Sequence, residues 1–492
     1  MKKALLAILG VILILLAVII VKTVMFTSNQ PSEATVEVIT VDKDTAVAHL
    51  SRALQIKSIS HADESRFDPA PFLSFNEMLE QSFPSVHQTL ERKMINTYSL
   101  LYKWPGSDPS LKPFVLLAHS DVVPIEPGTE DKWKYGAFSG EVADGHIWGR
   151  GTMDMKGVLM SLMEATEAVV KTGFKPKRTL YLAFGHDEEI GGSAGAGKIV
   201  EYLKQQGVQL AFTLDEGMLI LDKTLSPTKK QLAVVGLAEK GFVTLELNAK
   251  GKGGHSSMPP PKTTLGTLSR AIVALEETQM PASLTGAAGH FFDTIARDFP
   301  FAQKMMFANL WLFESLLLDQ LVKSNVTSAM VRTTTAPTII KGGVKENVLP
   351  SQAQALVNFR ILPGNTVSDV VEHAKKVIND PNVEITKYLG RGTSPSPVAE
   401  VNSESFKLIR RTIHQVFPGV TSTPGLVTAG TDSKHYVQIS DNNYRFAPMT
   451  VGSTDVSRIH GTNERIKVEG YVKMIQYHAQ LIKNAALAEG KL

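Results

Sequence analysis

Acids and histidines recur in five short segments of this sequence, each at the end of a predicted strand or in the loop that follows one. The segments are residues 116–121, 149–157, 185–192, 215–217 and 458–464. Apart from His186, they supply two histidines and several carboxylates, a ligand set that suits zinc, cobalt or manganese. Two such ions about 3.5–4 Å apart need a shared carboxylate to offset their repulsion. The pattern therefore favours a two-metal centre.

The first two segments each offer one ligand with a structural alternative. In extended chain, residues two apart point the same way, so Asp121 can reach the ring nitrogen of His119 that does not face a metal. A pair of loop residues on the surface is the alternative. Glycines flank Asp154 just before a predicted helix, which lets the backbone approach closely and presents the carboxylate. As the alternative, Asp154 is simply a helix N-cap.

The third segment places three acids in a row, Asp187, Glu188 and Glu189, directly after an apolar strand. A solvated turn is the alternative, but it does not explain the apolar approach to mutually repelling carboxylates. Successive side chains point in different directions, so one glutamate can bind a metal while its neighbour reaches a water beside it. The last two segments, around Asp215 and His460, would each pass for an ordinary loop if taken alone.

The elements around these segments predict an α/β fold. Short apolar runs are typical of buried strands, and helical spacing of apolar residues predicts helices between them. Alternation of the two argues for a mostly parallel sheet with helices on both faces. Ligands of such sheets collect at the carboxyl ends of the strands. The predicted strands are 114–118, 179–184 and 210–214, and the predicted helices are 158–170 and 194–206.

From about Gly241 the pattern changes to strands that alternate in period two, at 243–249 and 353–360, and to two amphipathic helices. This predicts a separate α+β domain inserted into the first one. After the prolines at 395 and 397 the first pattern returns, with a helix over 403–417. The predicted domains are a catalytic domain in two parts, 43–240 and 395–492, and an inserted lid domain, 241–394, that carries a helical insertion at about 281–323.

On these segments the chain resembles the M20 family of metallopeptidases, which includes glutamate carboxypeptidases, aminoacylases and desuccinylases. Within it, the likeness is to the branch of carboxypeptidase S and the N-fatty-acyl-amino acid synthase/hydrolases. The resemblance runs from about residue 45 onward, and all five segments match in order. It implies a zinc-exopeptidase-like catalytic domain that holds two divalent ions, with zinc preferred. The ligands it implies are His119 and Asp215 for one ion, Glu189 and His460 for the other, and Asp154 as the bridge.

The resemblance also implies three catalytic residues. Glu188 would be the general base and Asp121 would orient His119. His255, in the lid segment 253–259, would stabilise the oxyanion of the tetrahedral intermediate. Whether His255 acts within its own chain or across a homodimer stays open.

Three further residues are implied to bind substrate. Asn347 and Arg360 would hold the substrate carboxylate, since the planar fork of arginine pairs with both carboxylate oxygens. A salt bridge on the strand surface is the alternative for Arg360. Gly430 begins the glycine-rich substrate loop 430–433. His435 is interpreted as structural or substrate-side rather than as a sixth ligand, and His146 and His186 as ordinary polar residues.

Composition narrows the partners. The chain of 492 residues has 51 Lys and Arg against 48 Asp and Glu, a net charge of +3, so no nucleic-acid partner is expected. It contains no cysteine, which excludes disulfides, cysteine-ligated zinc and cysteine nucleophiles. The absence of cysteine suits an oxidising compartment without proving one.

The N-terminus predicts a membrane anchor. Lys2 and Lys3 precede an uncharged apolar run over 4–21, and Lys22 follows. As a helix, this run can span the ~30 Å hydrocarbon core of a bilayer. Because positive charge is concentrated before the run, the N-terminus is expected inside and the rest of the chain outside the cytoplasm. The predicted signal anchor is 4–22 and the tether 23–42. A cleaved signal peptide and a buried core helix are the alternatives.

These features predict a two-metal hydrolase that cleaves an amide or peptide bond adjacent to a free carboxylate, in a peptide or an N-acyl amino acid. Deacylation of a different amine on the same scaffold and a non-catalytic binding protein are the alternatives. A non-catalytic relative would be expected to lack a ligand or Glu188, and none is missing. For the apolar insertion three uses are open: an acyl-chain site, contact with the bilayer, or contact with another subunit.

Overall fold

The structure, a computed structural model, describes residues 1–32, 36–490 and 492. Residues 33–35 of the predicted tether and residue 491 of the second catalytic part lie outside the described residues. The chain forms two compact units. The first comprises Met1–Ser28, Ala238–Val398 and Leu426–Gly430, and the second comprises Asn29–Leu237, Ala399–Gly425 and Thr431–Leu492. The roles of catalytic domain and lid stay predictions.

The helices of the described residues are α1 (Lys2–Met25), α2 (Lys43–Gln55), α3 (Ala70–Ser82), α4 (Pro84–Thr89), α5 (Lys156–Lys171), α6 (Ala196–Gln205), α7 (Thr264–Glu277), α8 (Gly286–Ile295), α9 (Phe301–Ala308), α10 (Leu310–Leu321), α11 (Asn325–Val331), α12 (Val367–Ile378), α13 (Glu404–Val416), α14 (Ser433–Tyr436) and α15 (Val468–Leu487). The strands are β1 (Glu91–Ile95), β2 (Ser99–Trp104), β3 (Phe114–His119), β4 (Val142–Ala143), β5 (His146–Trp148), β6 (Leu180–Gly185), β7 (Thr213–Asp215), β8 (Ile220–Leu221), β9 (Leu232–Glu239), β10 (Gly241–Lys250), β11 (Gly254–His255), β12 (Thr334–Gly342), β13 (Val348–Leu349), β14 (Gln352–Ile361), β15 (Val383–Thr393), β16 (Thr421–Val427), β17 (Asn443–Arg445), β18 (Thr450–Val451) and β19 (Arg465–Lys467).

The larger sheet is mixed, with a parallel centre. Its order is β1-β2-β6-β3-β7-β17-β9-β8-β18, and β16 pairs with β9. The neighbours β6, β3, β7 and β17 run parallel. Antiparallel pairs flank them on both sides, β1 with β2 and β2 with β6 on one, β17 with β9 and β9 with β8 on the other. Every residue of β3 and β6 is buried, which is why their sequences read as continuous apolar runs.

Helices cover both faces of this parallel centre. Successive side chains of a strand point to opposite faces, so Val115 and Leu117 of β3 pack with Ile199 of α6. The alternate residues of β3 face α5, which packs against α15. Two helical layers therefore fix the carboxyl ends of β3, β6 and β7, where the acidic segments begin. The predicted α/β fold is confirmed, and the predicted mostly parallel sheet is confirmed for its centre, while the antiparallel strands on both sides make the whole sheet mixed.

The first unit contains a four-stranded antiparallel sheet of order β12-β14-β10-β15. Burial alternates along β10, as its period-two pattern predicts. Leu268 and Leu275 of α7 and Val370 of α12 pack on the buried face of the sheet. Between α7 and β12 the chain forms α8, α9, α10 and α11, so the region expected to be a helical insertion is helical.

A buried histidine makes stability depend on pH in a predictable direction. His478 of α15 is buried beside Ser161, with its Nδ1 2.8 Å from Ser161 Oγ, and burial lowers the pKa of His478 to about 3. In the unfolded chain the imidazole of His478 takes up a proton near pH 6.5, whereas in the folded chain it does so only near pH 3. The free energy of unfolding therefore has its full value above pH 6.5 and falls as the pH drops below it. The linkage slope is about 1.4 kcal/mol per pH unit, or about 2 kcal/mol between pH 6.5 and 5.

We therefore expect urea unfolding of the full chain to show a shallower pH dependence in His478→Gln than in the wild type over this range. Saturating divalent metal in both samples keeps metal loss from contributing to the difference. Equal slopes for the two proteins would show that His478 is not the group responsible.

Candidate metal centre

Asp154 lies between the two histidines that the sequence analysis selects. His119 ends β3, and its Nε2 lies 3.1 Å from Asp154 Oδ1. His460 approaches from a separate loop, and its Nε2 lies 3.0 Å from Asp154 Oδ2. Each carboxylate oxygen of Asp154 therefore faces a different imidazole. This is the arrangement that a ligand shared by two ions requires.

Glu189 completes the side of the cluster that contains His460. Its Oε2 lies 3.2 Å from His460 Nε2, and its side chain is 6% exposed. The other oxygen, Oε1, is buried without a hydrogen-bond partner in the described part of the chain. A buried carboxylate oxygen without a donor is costly, and a cation is one way to satisfy it.

Asp121 organises the segments around His119 and Glu188. Its Oδ1 lies 3.3 Å from His119 Nδ1, the ring nitrogen on the far side from Asp154. Ser60 Oγ donates to Asp121 Oδ2 at 2.7 Å, and the backbone amides of Glu188 and Glu189 each donate to the same carboxylate at 3.2 Å. One buried side chain thus fixes the orientation of the His119 ring and the position of the backbone that carries both glutamates.

The carboxylate of Glu188 lies beside this cluster. A carboxylate oxygen of Glu188 lies within 4.8 Å of ligand atoms of His119 and Glu216. Burial, together with the charges of Asp121, Glu189 and Asp154 and against the opposing charge of His119, raises the pKa of Glu188 to about 8. A carboxyl group whose pKa lies near neutral pH can both take up a proton and return it.

The charge of the cluster fits bound cations. Burial and repulsion from neighbouring carboxylates raise the pKa of Glu216 and of Asp432 well above the usual range. Hydrogen bonds that the His460 ring donates to the carboxylates of Asp154 and Glu189 raise the pKa of His460 to about 10. Two sets of ligand atoms lie within 4.8 Å of one another, His119-Asp154-Glu189 and His119-Glu188-Glu216. The excess of buried acids over imidazoles, with donors of the types that zinc prefers, fits divalent metal ions.

The fourth predicted segment is arranged differently from the simple expectation. Asp215 ends β7, and its carboxylate accepts hydrogen bonds from the backbone amides of Glu216, at 2.9 Å, and Ser433, at 2.7 Å. Glu216 is the neighbour whose Oε1 lies 3.2 Å from His119 Nε2. The assignment of Asp215 as a ligand stays a prediction, and Glu216 is a second candidate that the sequence analysis did not select.

A buried ion pair joins the loop of Asp154 to the loop of His460. Arg150 Nη1 donates to Glu464 Oε2 at 2.6 Å, and Arg150 Nη2 donates to the carbonyl of His460 at 3.0 Å. Glu464 Oε1 accepts from the amides of Gly151, at 3.0 Å, and Met153, at 2.8 Å. Both charged side chains are almost fully buried. These positioning residues went unselected because each looks like a surface charge in the sequence.

The other histidines have structural partners. His435 Nε2 lies 3.0 Å from the carbonyl of Gly191, in keeping with a structural role. His186 pairs with Ser99 at 2.6 Å, and His146 with the carbonyl of Asp144 at 2.7 Å. Asp432 is a buried acid that sequence reasoning missed. It packs so tightly that a Cβ on Gly192 would lie 1.9 Å from its Oδ1, which requires glycine there.

The remaining predicted site residues belong to the first unit. His255 lies on β11, which pairs with β13 so that the amide of Ser256 donates to the carbonyl of Asn347 at 3.1 Å. The lid segment and the Asn347 segment, distant in sequence, are thus neighbours. Arg360 on β14 is exposed, with its guanidinium 6.0 Å from the ring of Phe242. Gly430 lies near Glu239. The roles of these residues stay predictions.

Comparison with known proteins identifies the family. The family described as "Peptidase family M20/M25/M40" matches residues 115–484 of this chain. A probable carboxypeptidase S-like 2 of Dictyostelium discoideum is 39% identical over 480 residues, which cover 96% of this chain and 92% of that protein. The N-fatty-acyl-amino acid synthase/hydrolase PM20D1 of Xenopus tropicalis is 39% identical over 483 residues, 96% of this chain and 93% of that protein.

A solved structure supports the fold independently. The M20 family metallo-carboxypeptidase Sso-CP2 of Sulfolobus solfataricus superposes with a TM-score of 0.63 at 20% identity, covering 90% of this chain and 99% of that one. Two relatives match nearly the whole chain, and the family matches most of it. These matches agree on one family. The chain belongs to the M20 peptidase family and is a metal-dependent hydrolase of amide or peptide bonds.

Proposed function

We propose that the chain is a membrane-anchored, two-metal amidohydrolase that cleaves an amide bond next to a free carboxylate. The observation that carries the proposal is Asp154, whose two oxygens each face one histidine. His119 with Asp215 or Glu216 would hold one ion, and Glu189 with His460 the other. When bound, the two ions, zinc preferred, supply positive charge that lowers the pKa of the attacking water and polarises the substrate carbonyl.

Glu188 is proposed as the general base and acid. It takes a proton from the attacking water, whose oxygen forms a bond to the carbonyl carbon. It then gives that proton to the leaving nitrogen as the carbon–nitrogen bond breaks. Asp121 supports this step indirectly, because its carboxylate accepts a hydrogen bond from the backbone amide of Glu188 and so fixes the position of the base. His255 is proposed to stabilise the oxyanion, a role that rests on the family resemblance.

Arg360 and Asn347 are proposed to bind the substrate carboxylate. Asn347 Oδ1 is buried without a hydrogen-bond partner in the described residues. Arg360 belongs to a cationic region, since burial and the charge of Arg360 lower the pKa of Lys240 to about 8. An arginine with a second cation nearby suits a ligand carboxylate. The relatives named above act as carboxypeptidases or on N-fatty-acyl amino acids, and both substrate classes carry such a group.

Replacing Arg360 by Ala is the test of this function. We expect kcat/KM for an N-acyl amino acid or a dipeptide to fall by about 10–100-fold, the loss of a charge-assisted hydrogen bond of about 1.5–3 kcal/mol. The corresponding carboxamide substrate should be poor for the wild type and unaffected by the substitution. The measurement is hydrolysis by the full chain in detergent micelles, with both substrate classes in parallel.

Arg391→Ala is the matched control, because Arg391 is an exposed arginine on β15 of the same unit. It should leave both rates unchanged. An equal loss on carboxylate and carboxamide substrates in Arg360→Ala would remove the carboxylate assignment. Faster hydrolysis of the carboxamide than of the carboxylate by the wild type would favour deacylation of a different amine.

Helix α1 is proposed to anchor the chain in a membrane. It is long and apolar enough to span a bilayer, and most of its side chains are exposed. Lys2 and Lys3 favour an orientation with the N-terminus inside, so the hydrolase would lie outside the cytoplasm. Protease added to the outside of cells whose cytoplasmic membrane is intact, and whose outer layers have been removed, should digest the hydrolase. Without protease, the hydrolase should stay in the membrane fraction after a salt wash. Recovery of a soluble protein shortened by about 25–30 residues would show a cleaved signal instead.

A further inference from the structure

The last turns of α1 are docked onto the helical insertion by buried polar contacts. Asn309, between α9 and α10, is fully buried and donates its Nδ2 to the carbonyl of Ile19 at 3.2 Å and to Thr23 Oγ1 at 3.3 Å. Thr23 is itself buried and donates to the Ile19 carbonyl at 2.7 Å. Buried amide and hydroxyl groups of this kind hold helices in register where water is scarce.

Two cations extend the docking to the end of the apolar run. The guanidinium of Arg297 lies 4.1 Å from the ring of Phe26 and donates to the carbonyl of Thr27 at 2.7 Å. The ammonium of Lys22 lies 5.8 Å from the ring of Trp311. These polar and cation–ring contacts thus run from Ile19, near the end of the apolar run, to beyond Lys22, the first charge after it. The rest of α1 is almost entirely exposed.

Beside this docking point the insertion exposes four large apolar side chains. Trp311 is 54% exposed, Leu312 46% and Leu316 50%, all on α10, and Phe301 of α9 is 56% exposed. At 100° per residue, Trp311 and Leu316 are separated by about 140° on the helix, so the three α10 residues share one side. Glu314 lies on the opposite side from Leu312 and Leu316, whereas the exposed Ser315 and Asp319 lie between Trp311 and Leu316 around the helix. Leucine and tryptophan exposed together at this density mark a contact surface.

We propose that this face, Phe301 with Trp311, Leu312 and Leu316, rests in the interfacial layer of the bilayer that α1 spans. The proposal rests on the membrane anchor proposed above. The continuity of the face with α1 at Lys22 sets its depth, because a lysine at the end of a spanning helix lies at the headgroup level. Tryptophan prefers the same level, and leucine inserts just below it. The insertion is therefore an interfacial foot that holds its unit against the membrane.

The absence of cysteine from the chain makes a direct test possible. Single cysteines would be introduced by Leu312→Cys, Leu316→Cys, Val18→Cys in α1 and Val273→Cys on α7, and labelled with an environment-sensitive fluorophore. Val273 is 47% exposed, which matches Leu312 and Leu316 in accessibility. The labelled full chain would be reconstituted into phosphatidylcholine vesicles with and without brominated phosphatidylcholine, a short-range quencher. Hydrolytic activity of each labelled protein in micelles checks that it is folded.

We expect blue-shifted emission and quenching by brominated lipid at 18, 312 and 316, and neither change at 273. Quenching at 18 without quenching at 312 and 316 would overturn the interfacial foot and leave the anchor intact. No quenching at 18 would overturn the anchor and the foot together. Equal quenching at 273 and 312 would show that lipid contact is not specific to this face. A response of the 312 and 316 labels to an N-acyl amino acid in micelles, but not to brominated lipid, would make the face an acyl-chain site and overturn the proposal.

Discussion

Replacing Glu188 by Gln should lower kcat by at least ~10²–10⁴-fold, the factor usually attributed to general acid–base catalysis, while bound metal stays near the wild-type content. Glutamine keeps the shape of the side chain and removes the proton acceptor. Glu189→Gln is the matched variant, since the chemistry is the same one residue away. Its Oε2 lies 3.2 Å from His460 Nε2, so this substitution should release metal and recover part of its activity when metal is added in excess.

Bound metal and hydrolysis rates across a metal titration separate the two roles. Rescue of Glu188→Gln by metal, together with a fully loaded but inactive Glu189→Gln, would reverse the assignments. Substantial activity in both variants would refute the mechanism, because neither the base nor the ligand would then be needed. Native-like unfolding curves for both proteins confirm that the effects are local.

Asp154→Ala should lose both ions, because Asp154 faces His119 with one oxygen and His460 with the other. Elemental analysis of the wild type should give about two divalent ions per chain, and the variant close to none. A variant that retains two ions, or a wild type that holds one, would exclude the bridge. Activity should fall with the metal and should not return fully at any metal concentration, since the shared ligand is missing.

Asp215→Asn and Glu216→Gln are the controls for that experiment, and they decide which acid of the segment 215–217 binds metal. Both residues belong to the fourth segment, where Glu216 Oε1 lies 3.2 Å from His119 Nε2, but only one of them is needed as a ligand. The residue that binds metal should release about one ion on substitution, and its neighbour should release none. Metal loss in Glu216→Gln alone would replace the predicted ligand Asp215 by Glu216.

The parallel centre of the sheet was predictable because burial on both faces leaves a plain record in the sequence. The residues of β3 and β6 are apolar until the strand ends, and the first polar residues mark the carboxyl edge where ligands gather. Helices α5 and α7 followed from apolar spacing. No element is predicted over 43–104, where the chain forms α2, α3, α4, β1 and β2.

The candidate centre was predictable in its ligands and not in what positions them. His119, Asp154, Glu189 and His460 stand out by residue type at strand ends. Arg150 and Glu464 do not, because a lone arginine and a lone glutamate so far apart look like solvated charges until the fold pairs them. Asp215 and Glu216 were also beyond sequence reasoning. Which of two adjacent acids turns toward His119 depends on the amides of Glu216 and Ser433, which hold the Asp215 carboxylate.

The assembly of the centre from distant segments has a consequence for biogenesis. His119 and His460 meet at Asp154 only after the intervening unit, which contains Ala238–Val398, has been made. During synthesis α1 emerges well before the loop that carries His460 and Glu464. Non-local pairings of this kind form late and slowly. Under the proposed topology, a chain still in transit across the membrane has no complete metal centre, so ion loading and the onset of hydrolysis should both follow translocation.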